Sequence, residues 1–216
     1  MMKLYVYEHC PFCVKARMIF GLKLIPFEIV MLQNDDEPTP IKMVGQKVVP
    51  ILQKEDGSYM PESMDIVHYV DQSQLPLTLT GTSNPDIMAW IQNISSYVNK
   101  LLMPRYVKVD LPEFVTPSAR DYFQHKKEAY IGPFAEHFAN SEVFIQRMNE
   151  DLLALDTLIV ANNAHYDELS TDDIHLFPIL RSLSIVKGIV YPANVQAYRN
   201  KMIEINNIPS FDDIAI

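Results

Sequence analysis

The chain has 216 residues, 48% of them hydrophobic and 21% charged, which allows a sizeable core and excludes an intrinsically disordered chain. Its formal net charge of -9 disfavours anionic partners, so we expect it to bind neither nucleic acid nor a membrane surface. No stretch is long and apolar enough to span a bilayer, and Glu8, His9 and Cys10 end the N-terminal apolar run too early for a signal peptide. We therefore expect a cytoplasmic protein.

The first 72 residues alternate between strand and helix patterns. Pro11 suits the first turn of a helix, and Asp56-Gly57 between two β-like runs predicts a hairpin. The predicted order is strand, helix, strand, short helix, strand, strand and helix, over residues 3–7, 11–22, 27–32, 41–44, 48–53, 58–60 and 62–70. This alternation predicts right-handed crossovers and a partly parallel sheet, so residues 1–72 are assigned to an α/β domain.

The remainder of the chain carries almost no strand signal. Residues 73–85 hold two prolines, one glycine and five Ser or Thr residues, a composition typical of a linker. Beyond them, apolar residues recur at helical spacing and predict helices over residues 87–106, 118–131, 141–160, 170–186 and 193–205. Residues 86–216 are therefore predicted to form an all-α domain.

One helix start is specified in detail. Ser170 is placed to cap a helix, and Asp173 at its third position is placed to accept from the Ser170 amide. Leu169 and Ile174 have the spacing of a hydrophobic staple across that cap. Pro178 lies inside the same helix and predicts a kink there.

The two cysteines, three positions apart, are the strongest chemical signal. A secreted disulfide scaffold would use more cysteines at wider spacing, so this pair indicates redox chemistry or a metal. Cys10 stands at a predicted helix start, where unpaired N–H groups and partial positive charge stabilise a thiolate. Cys13 lies one turn further along, within reach of a mixed disulfide on Cys10. We assign Cys10 as the nucleophile and Cys13 as the resolving thiol.

Two other interpretations of this pair are weaker. A structural zinc site needs four ligands, but the sequence has no second cysteine pair and nothing that places His9 or His68 beside the first. Two ordinary buried cysteines would not need the Cys-Pro-aromatic-Cys context. The sequence therefore predicts no metal.

Two further motifs each have two readings. A cis bond at Val49-Pro50 would present the Val49 backbone to a bound peptide, whereas a trans Pro50 would simply begin a strand. Ser63, after Pro61 and Glu62, offers an amide and a hydroxyl at a helix start, which suits either a bound carboxylate or ordinary capping. Spacing alone does not choose between the two interpretations of Val49-Pro50, and for Ser63 it favours ordinary capping.

Together these motifs resemble the glutaredoxin and glutathione transferase superfamily, and within it the bacterial two-domain glutaredoxin 2 type. The N-terminal resemblance rests on specific segments: residues 10–23 with Cys10-Pro11-Phe12-Cys13, and residues 43–47, 49–54 and 60–71. Weaker matches in the helical half are residues 99–102, 155–156 and 176–178. The resemblance spans nearly the whole chain.

The resemblance implies a thioredoxin-like domain followed by an all-α domain, as in glutathione transferases. It implies a glutathione-dependent thiol-disulfide oxidoreductase, with glutathione as co-substrate and glutathionylated or disulfide-containing proteins as substrates. By the same resemblance Phe12, Val49, a cis Pro50, Glu62 and Ser63 form the glutathione site. It also favours a monomer.

One position departs from the resemblance. Many small glutaredoxins have a lysine three residues before the first cysteine, and here that residue is Tyr7. The positive field must then come from the helix terminus, with Lys15 or a protonated His9 as helpers, although a solvated flanking residue is the more ordinary reading of His9. The competing functions are a glutathione transferase and a non-enzymatic binding module, and the cysteine pair disfavours both.

Overall fold

The computed structural model describes residues 1–162 and 168–216, with side chains described outside residues 160–167. The chain divides into two compact units. The first comprises Met1–Thr78, Asp110–Phe123 and Asn206–Ile208; the second comprises Leu79–Val109, Gln124–Ile205 and Pro209–Ile216.

The first unit is built on a four-stranded mixed sheet. Its elements are β1 (Lys3–Val6), α1 (Pro11–Leu22), β2 (Glu28–Met31), α2 (Pro38–Val44), β3 (Ile51–Gln53), β4 (Tyr59–Met60) and α3 (Ser63–Ser73). The strand order is β2-β1-β3-β4, in which β1 and β2 are parallel and the other neighbours antiparallel. The predicted α/β, thioredoxin-like fold is confirmed.

The strand register brings several loops to one edge of the sheet. Tyr5 of β1 lies opposite Ile51 of β3, and Leu52 of β3 lies opposite Met60 of β4. The end of β1, the start of β3 and the end of β4 therefore meet at one edge, and the parallel β2 ends there as well. We call this the Cys10 edge, because β1 leads from it directly to Cys10.

Alternation along the strands and periodicity along the helices form the core of this unit. Leu4 and Val6 of β1 are fully buried, as strand alternation requires when one face of a sheet is covered. Helix α1 packs against α3, which buries Ile66, Val67 and Val70. Gly21 near the end of α1 lies against the backbone of Asn206, and a Cβ at Gly21 would stand 2.5 Å from the Asn206 carbonyl oxygen.

Among the described residues, the remaining elements are helical and include two single 3-10 turns. The helices are α4 (Pro85–Ser95), α5 (Val98–Tyr106), α6 (Pro117–Ile131), α7 (Phe134–Ala139), α8 (Ser141–Asn162), α9 (Thr171–Leu183) and α10 (Ala193–Asn206). The 3-10 turns span Pro112–Phe114 and Asp212–Ile214. In the second unit α4 packs against α8 and α9, and α5 against α7 and α8. Within the part of the chain that the structure describes, no helix is long and apolar enough to cross a membrane.

The prediction of one helix over residues 87–106 is wrong. The helix is interrupted at Ser96 and Tyr97, between α4 and α5, where Tyr97 has φ -139° and ψ -20°. Ile94 and Val98 are buried on either side of the break, so the apolar spacing continues across it and the sequence shows no interruption.

Other boundaries differ by less. Helix α2 begins at Pro38, three residues earlier than predicted, because proline is well suited to a first helical turn. The short α7 was not predicted at all. The capping box of α9 is confirmed: Ser170 Oγ accepts from the Asp172 amide at 3.1 Å, and Asp173 accepts from the Ser170 amide at 2.8 Å.

Candidate active site

Cys10 lies at the junction between β1 and α1. It is the N-terminal cap residue of α1, with φ -75° and ψ 116°, and Pro11 occupies the first helical position. The α1 N-terminus therefore directs its unpaired amides and the positive end of its dipole toward the Cys10 thiol. Both Cys10 and Cys13 are buried free thiols, with Cys10 8% exposed and Cys13 fully enclosed.

The two thiols have opposite acidities. A hydrogen bond from the Cys13 thiol and the charge of His9 lower the pKa of Cys10 to about 7, against the effect of burial. The first-turn amides of Phe12 and Cys13 favour the Cys10 thiolate as well. Burial and the same hydrogen bond raise the pKa of Cys13 well above its usual value. At neutral pH the pair thus holds one thiolate and one thiol, which is the arrangement that disulfide exchange requires.

Tyr7 occupies the position, three residues before Cys10, at which many small glutaredoxins have a lysine. Its ring is buried, its amide donates to Cys13 Sγ at 3.5 Å, and within the described residues its hydroxyl has no hydrogen-bond partner. Burial and the neighbouring thiols raise the pKa of Tyr7, so the side chain is neutral and supplies no charge to the site.

His9 is buried, so its interpretation as a solvated flanking residue is wrong. Its side chain is 10% exposed and stacks with the rings of Tyr7 and Phe114, at centroid distances of 5.8 and 5.4 Å. Phe123 meets it edge-on at 5.0 Å. The sequence did not reveal this burial because two of the rings that cover His9, Phe114 and Phe123, lie more than a hundred positions away in the chain.

Glu113 binds His9 twice through one carboxylate oxygen. Oε1 accepts from the His9 amide at 2.9 Å and contacts His9 Nδ1 at 2.5 Å. Burial disfavours the charged form of Glu113, but its hydrogen bond to His9 and the charge of His9 outweigh that effect and lower its pKa. Sequence reasoning missed this residue, and no local motif marks it.

The segment that carries Glu113 is fixed to the Cys10 edge through the loop after β2. The Asn34 amide donates to the Glu113 carbonyl at 3.0 Å, and Gln33 Nε2 donates to the Pro112 carbonyl at 2.8 Å. Since β2 ends at the Cys10 edge, these bonds hold Glu113 at the same edge as Cys10.

Lys15 lies one turn into α1. Its ammonium group lies over the ring of Phe12, 5.0 Å from the centroid, and that ring is 55% exposed. Burial lowers the pKa of Lys15, although the Cys10 thiolate partly opposes that change. Phe12 therefore presents an exposed aromatic face beside the thiols.

The other predicted site residues lie at the Cys10 edge by register. The Val49–Pro50 bond is cis and immediately precedes β3. Glu62 and the buried Ser63 follow β4, where Glu62 has φ 71° and Ser63 is the first residue of α3. The described contacts join Cys10 to Cys13, whereas the sheet register alone brings Val49, Pro50, Glu62 and Ser63 to this edge.

The described side chains were compared with the ligand groups that a metal ion needs. Among the side chains of residues 1–159 and 168–216, no group of three or more His, Cys, Asp or Glu residues is arranged to hold a metal ion.

Comparison with known proteins identifies the type of fold. Residues 4–75 match the family described as "Glutathione S-transferase, N-terminal domain". A glutathione transferase from Phanerochaete chrysosporium aligns over 96% of this chain and 99% of its own, with a TM-score of 0.70 at 13% identity. The fold is therefore of the glutathione transferase type, with a thioredoxin-like domain and an all-α domain.

Closer relatives define the family. Residues 86–215 match the family described as "Glutaredoxin 2, C terminal domain". Glutaredoxin 2 of Escherichia coli strain K12 is 54% identical over 215 residues, covering 100% of both chains. The structure of glutaredoxin 2 from Salmonella typhimurium in complex with glutathione is 56% identical, covers 100% of this chain and 99% of its own, and gives a TM-score of 0.97. The chain belongs to the glutaredoxin 2 family.

Proposed function

We propose that this chain is a glutathione-dependent disulfide oxidoreductase in which Cys10 and Cys13 exchange thiols with glutathione and with protein disulfides. On a protein–glutathione mixed disulfide, the Cys10 thiolate attacks the glutathione sulfur and the protein leaves as a thiolate, which takes up a proton. A glutathione thiolate then attacks the Cys10–glutathione disulfide, forming glutathione disulfide and restoring the Cys10 thiolate. Glutathione is therefore a co-substrate.

A protein disulfide engages both cysteines. Cys10 attacks one sulfur of the substrate and forms a mixed disulfide, and the second substrate sulfur leaves as a thiolate. Cys13 then loses its proton and attacks Cys10 Sγ, which releases the reduced protein and leaves a Cys10–Cys13 disulfide. Two glutathione molecules reduce that bridge and become glutathione disulfide.

The observation that carries this proposal is the opposite acidity of the two thiols. The Cys13 hydrogen bond and the α1 N-terminus hold the pKa of Cys10 at about 7, while burial keeps Cys13 protonated. A conjugating transferase needs to activate the thiol of glutathione instead, and a binding module needs no reactive thiol. The pair at the start of α1 therefore favours disulfide exchange over both alternatives.

The glutathione site is proposed to lie at the Cys10 edge. The Val49 backbone beside the cis Pro50 pairs with the glutathione backbone, and Glu62 with Ser63 holds its γ-glutamyl end, where the start of α3 offers free amides to a carboxylate. Phe12 contributes its exposed ring. The glutathione complex of the Salmonella relative supports glutathione as the ligand.

The same proposal includes the location, the partners and the domain boundaries of the protein. We expect a cytoplasmic monomer that acts on glutathionylated and disulfide-containing proteins and binds neither nucleic acid nor membranes. Its proposed domains are residues 1–72 and 86–216, joined by a linker over residues 73–85. The family match over residues 86–215 supports this assignment of the helical domain.

Trapping the first intermediate tests the proposal. The Cys13→Ser variant, incubated with glutathione disulfide, is expected to gain one glutathionyl group on Cys10, because glutathione can no longer be displaced by a second cysteine. The Cys10→Ser variant is the matched control and is expected to remain unmodified at neutral pH. Intact-mass spectrometry and peptide mapping read both results. Equal modification of Cys13 in the Cys10→Ser variant would contradict the assigned roles.

A further inference from the structure

We propose that Glu113 is a positioning residue that holds His9 as an imidazolium beside Cys10, and that this buried ion pair supplies positive charge to the active-site thiolate. The inference rests on the proposed function in that Cys10 is taken as the reactive thiol. It assigns a role in the chemistry of the N-terminal thiols to a residue that follows them by about a hundred positions.

The first argument is the chemistry of the contact. A carboxylate is only an acceptor, so His9 Nδ1 must carry a hydrogen where it meets Glu113 Oε1 at 2.5 Å. The same oxygen accepts from the His9 amide at 2.9 Å, which fixes the carboxylate relative to the His9 backbone. Glu113 therefore sets both the orientation and the Nδ1 protonation of the imidazole.

The second argument is the burial of the carboxylate. The Glu113 side chain is fully enclosed, and among the described residues its Oε2 has no hydrogen-bond partner. A buried carboxylate without a nearby cation is strongly disfavoured, because the low-polarity surroundings replace water poorly. Protonation of His9 at Nε2 as well as Nδ1 places that cation in contact with the carboxylate. Contact with the carboxylate thus favours the imidazolium, whereas burial of the ring itself acts in the opposite direction.

The third argument is the surrounding of the imidazole. The rings of Tyr7 and Phe114 stack with the imidazole at interplanar angles of 7° and 16°, and the Phe123 ring meets it in a T-shaped contact. Aromatic faces attract a cation, and rings that exclude water leave its field weakly screened. Since His9 directly precedes Cys10, this field acts on the thiol, and it lowers the pKa of Cys10.

The other titratable groups near the thiols do not replace this charge. Tyr7 is neutral and Cys13 is a thiol that donates its hydrogen to Cys10. The Lys15 ammonium is engaged with the Phe12 ring, and burial lowers its pKa. The further groups that act on the Tyr7 ring are Asp36 and Tyr122.

The test measures the acidity of Cys10 in a Cys13→Ser background, where it is the single thiol. In Glu113→Gln, His9 loses the carboxylate that holds its second proton, so the pKa of Cys10 is expected to rise by about one pH unit. The rate of alkylation by iodoacetamide at pH 6 is then expected to fall about tenfold. The matched control, Glu8→Gln, removes the neighbouring carboxylate that binds Arg17 and is expected to leave the pKa unchanged or slightly lower.

The sign of the change separates the two protonation states. If His9 were neutral, Glu113→Gln would only remove a negative charge near the thiols, and the pKa of Cys10 would fall or stay constant. Such a result in a folded variant would overturn the inference. A double-mutant cycle adds a second check: in a His9→Phe background, Glu113→Gln is expected no longer to raise the pKa of Cys10.

Two measurements cover the case in which Glu113→Gln does not fold. His9→Phe with Glu113→Gln removes both buried charges and keeps the ring, and it is expected to fold with the raised Cys10 pKa. In the wild-type protein, the ¹³C chemical shift of the His9 imidazole at pH 7 is expected to be that of the doubly protonated ring, and a neutral ring would refute the inference. Neither readout involves glutathione, so failure of the proposed function would leave the Cys10 pKa and the His9 shift as predicted.

Discussion

The acidity of Cys10 is the sum of small local effects at the start of α1. The Cys13 hydrogen bond contributes most, burial opposes it, and His9 and the first-turn amides add to it. Because several groups lower the pKa of Cys10 together, we expect a single substitution around it to raise that pKa only in part.

The first prediction concerns the pH dependence of the wild-type thiols. The pKa of Cys10 is lowered to about 7 and that of Cys13 is raised, so alkylation of Cys10 should increase as the pH rises through about 7 while Cys13 stays unreactive. Peptide mass mapping after brief exposure to iodoacetamide across pH 5 to about 9 measures both residues at once. A common midpoint near the ordinary cysteine value would contradict the assignment.

At the scale of single residues, the sequence predicts features that depend on adjacent residues but not contacts between distant ones. The helix start beside Cys10 is indicated locally by Pro11, so the sequence was sufficient to predict where α1 begins. The roles proposed for Cys10 and Cys13 depend on that position. The partner of His9 is Glu113, 104 positions away, and the pairing exists only because the loop after β2 binds the segment that carries Glu113. No periodicity or motif contains that information.

Helix α1 requires close approach to another backbone at its C-terminal end. A methyl group at Gly21 would stand 2.5 Å from the Asn206 carbonyl oxygen and 3.1 Å from its Cα, both of them backbone atoms. Backbone cannot yield as a flexible side chain can, so a larger residue forces the elements apart. The presence of a glycine in the last turn of α1 is therefore explained by packing, despite its poor helix propensity.

Gly21→Ala is expected to lower the free energy of unfolding by about 1–3 kcal/mol. Gly57→Ala is the matched control: Gly57 has φ +86° and faces open space, so it carries only the smaller cost of a left-handed backbone, about 1 kcal/mol. Urea denaturation of both variants gives the comparison. Equal stability of Gly21→Ala and the wild type would mean that the Asn206 contact is looser than described.

Helix α9 begins at a capping box that both sequence and structure contain. Ser170→Ala removes the acceptor of the Asp172 amide and is expected to cost about 1 kcal/mol of unfolding free energy. Ser118→Ala, at an exposed position in α6, is the control and is expected to change stability by less than about 0.5 kcal/mol. Chemical denaturation monitored by circular dichroism measures both. A cost at Ser118 equal to that at Ser170 would remove the cap as the cause.

At the element scale, the starts and turns that depend on neighbouring residues were predicted correctly, whereas the break between two consecutive helices was not. The cap at Ser170, the proline at the start of α1 and the Asp-Gly hairpin each act through neighbouring residues. The break at Tyr97 leaves no local mark, because buried residues continue at helical spacing on both sides. Whether Pro178 kinks α9 stays a prediction.

At the scale of the whole molecule, compact units do not follow the order of the chain. The unit that holds the sheet also includes Asp110–Phe123 and Asn206–Ile208. The first of these segments brings Glu113, Phe114 and Phe123 to His9, and the second provides the backbone against which Gly21 packs. Late parts of the sequence thus complete the surroundings of the early cysteines, a relation that a linear division into domains does not express.

The most direct test of the account is turnover of a glutathione mixed disulfide, followed as loss of NADPH with glutathione and glutathione reductase present. The account predicts rapid turnover by the wild type, none by Cys10→Ser, and partial activity in Cys13→Ser, because the second glutathione attacks Cys10 without help from Cys13. Absence of turnover in the wild type, or full activity in Cys10→Ser, would contradict the central claim that Cys10 is the nucleophile of a glutathione-dependent oxidoreductase.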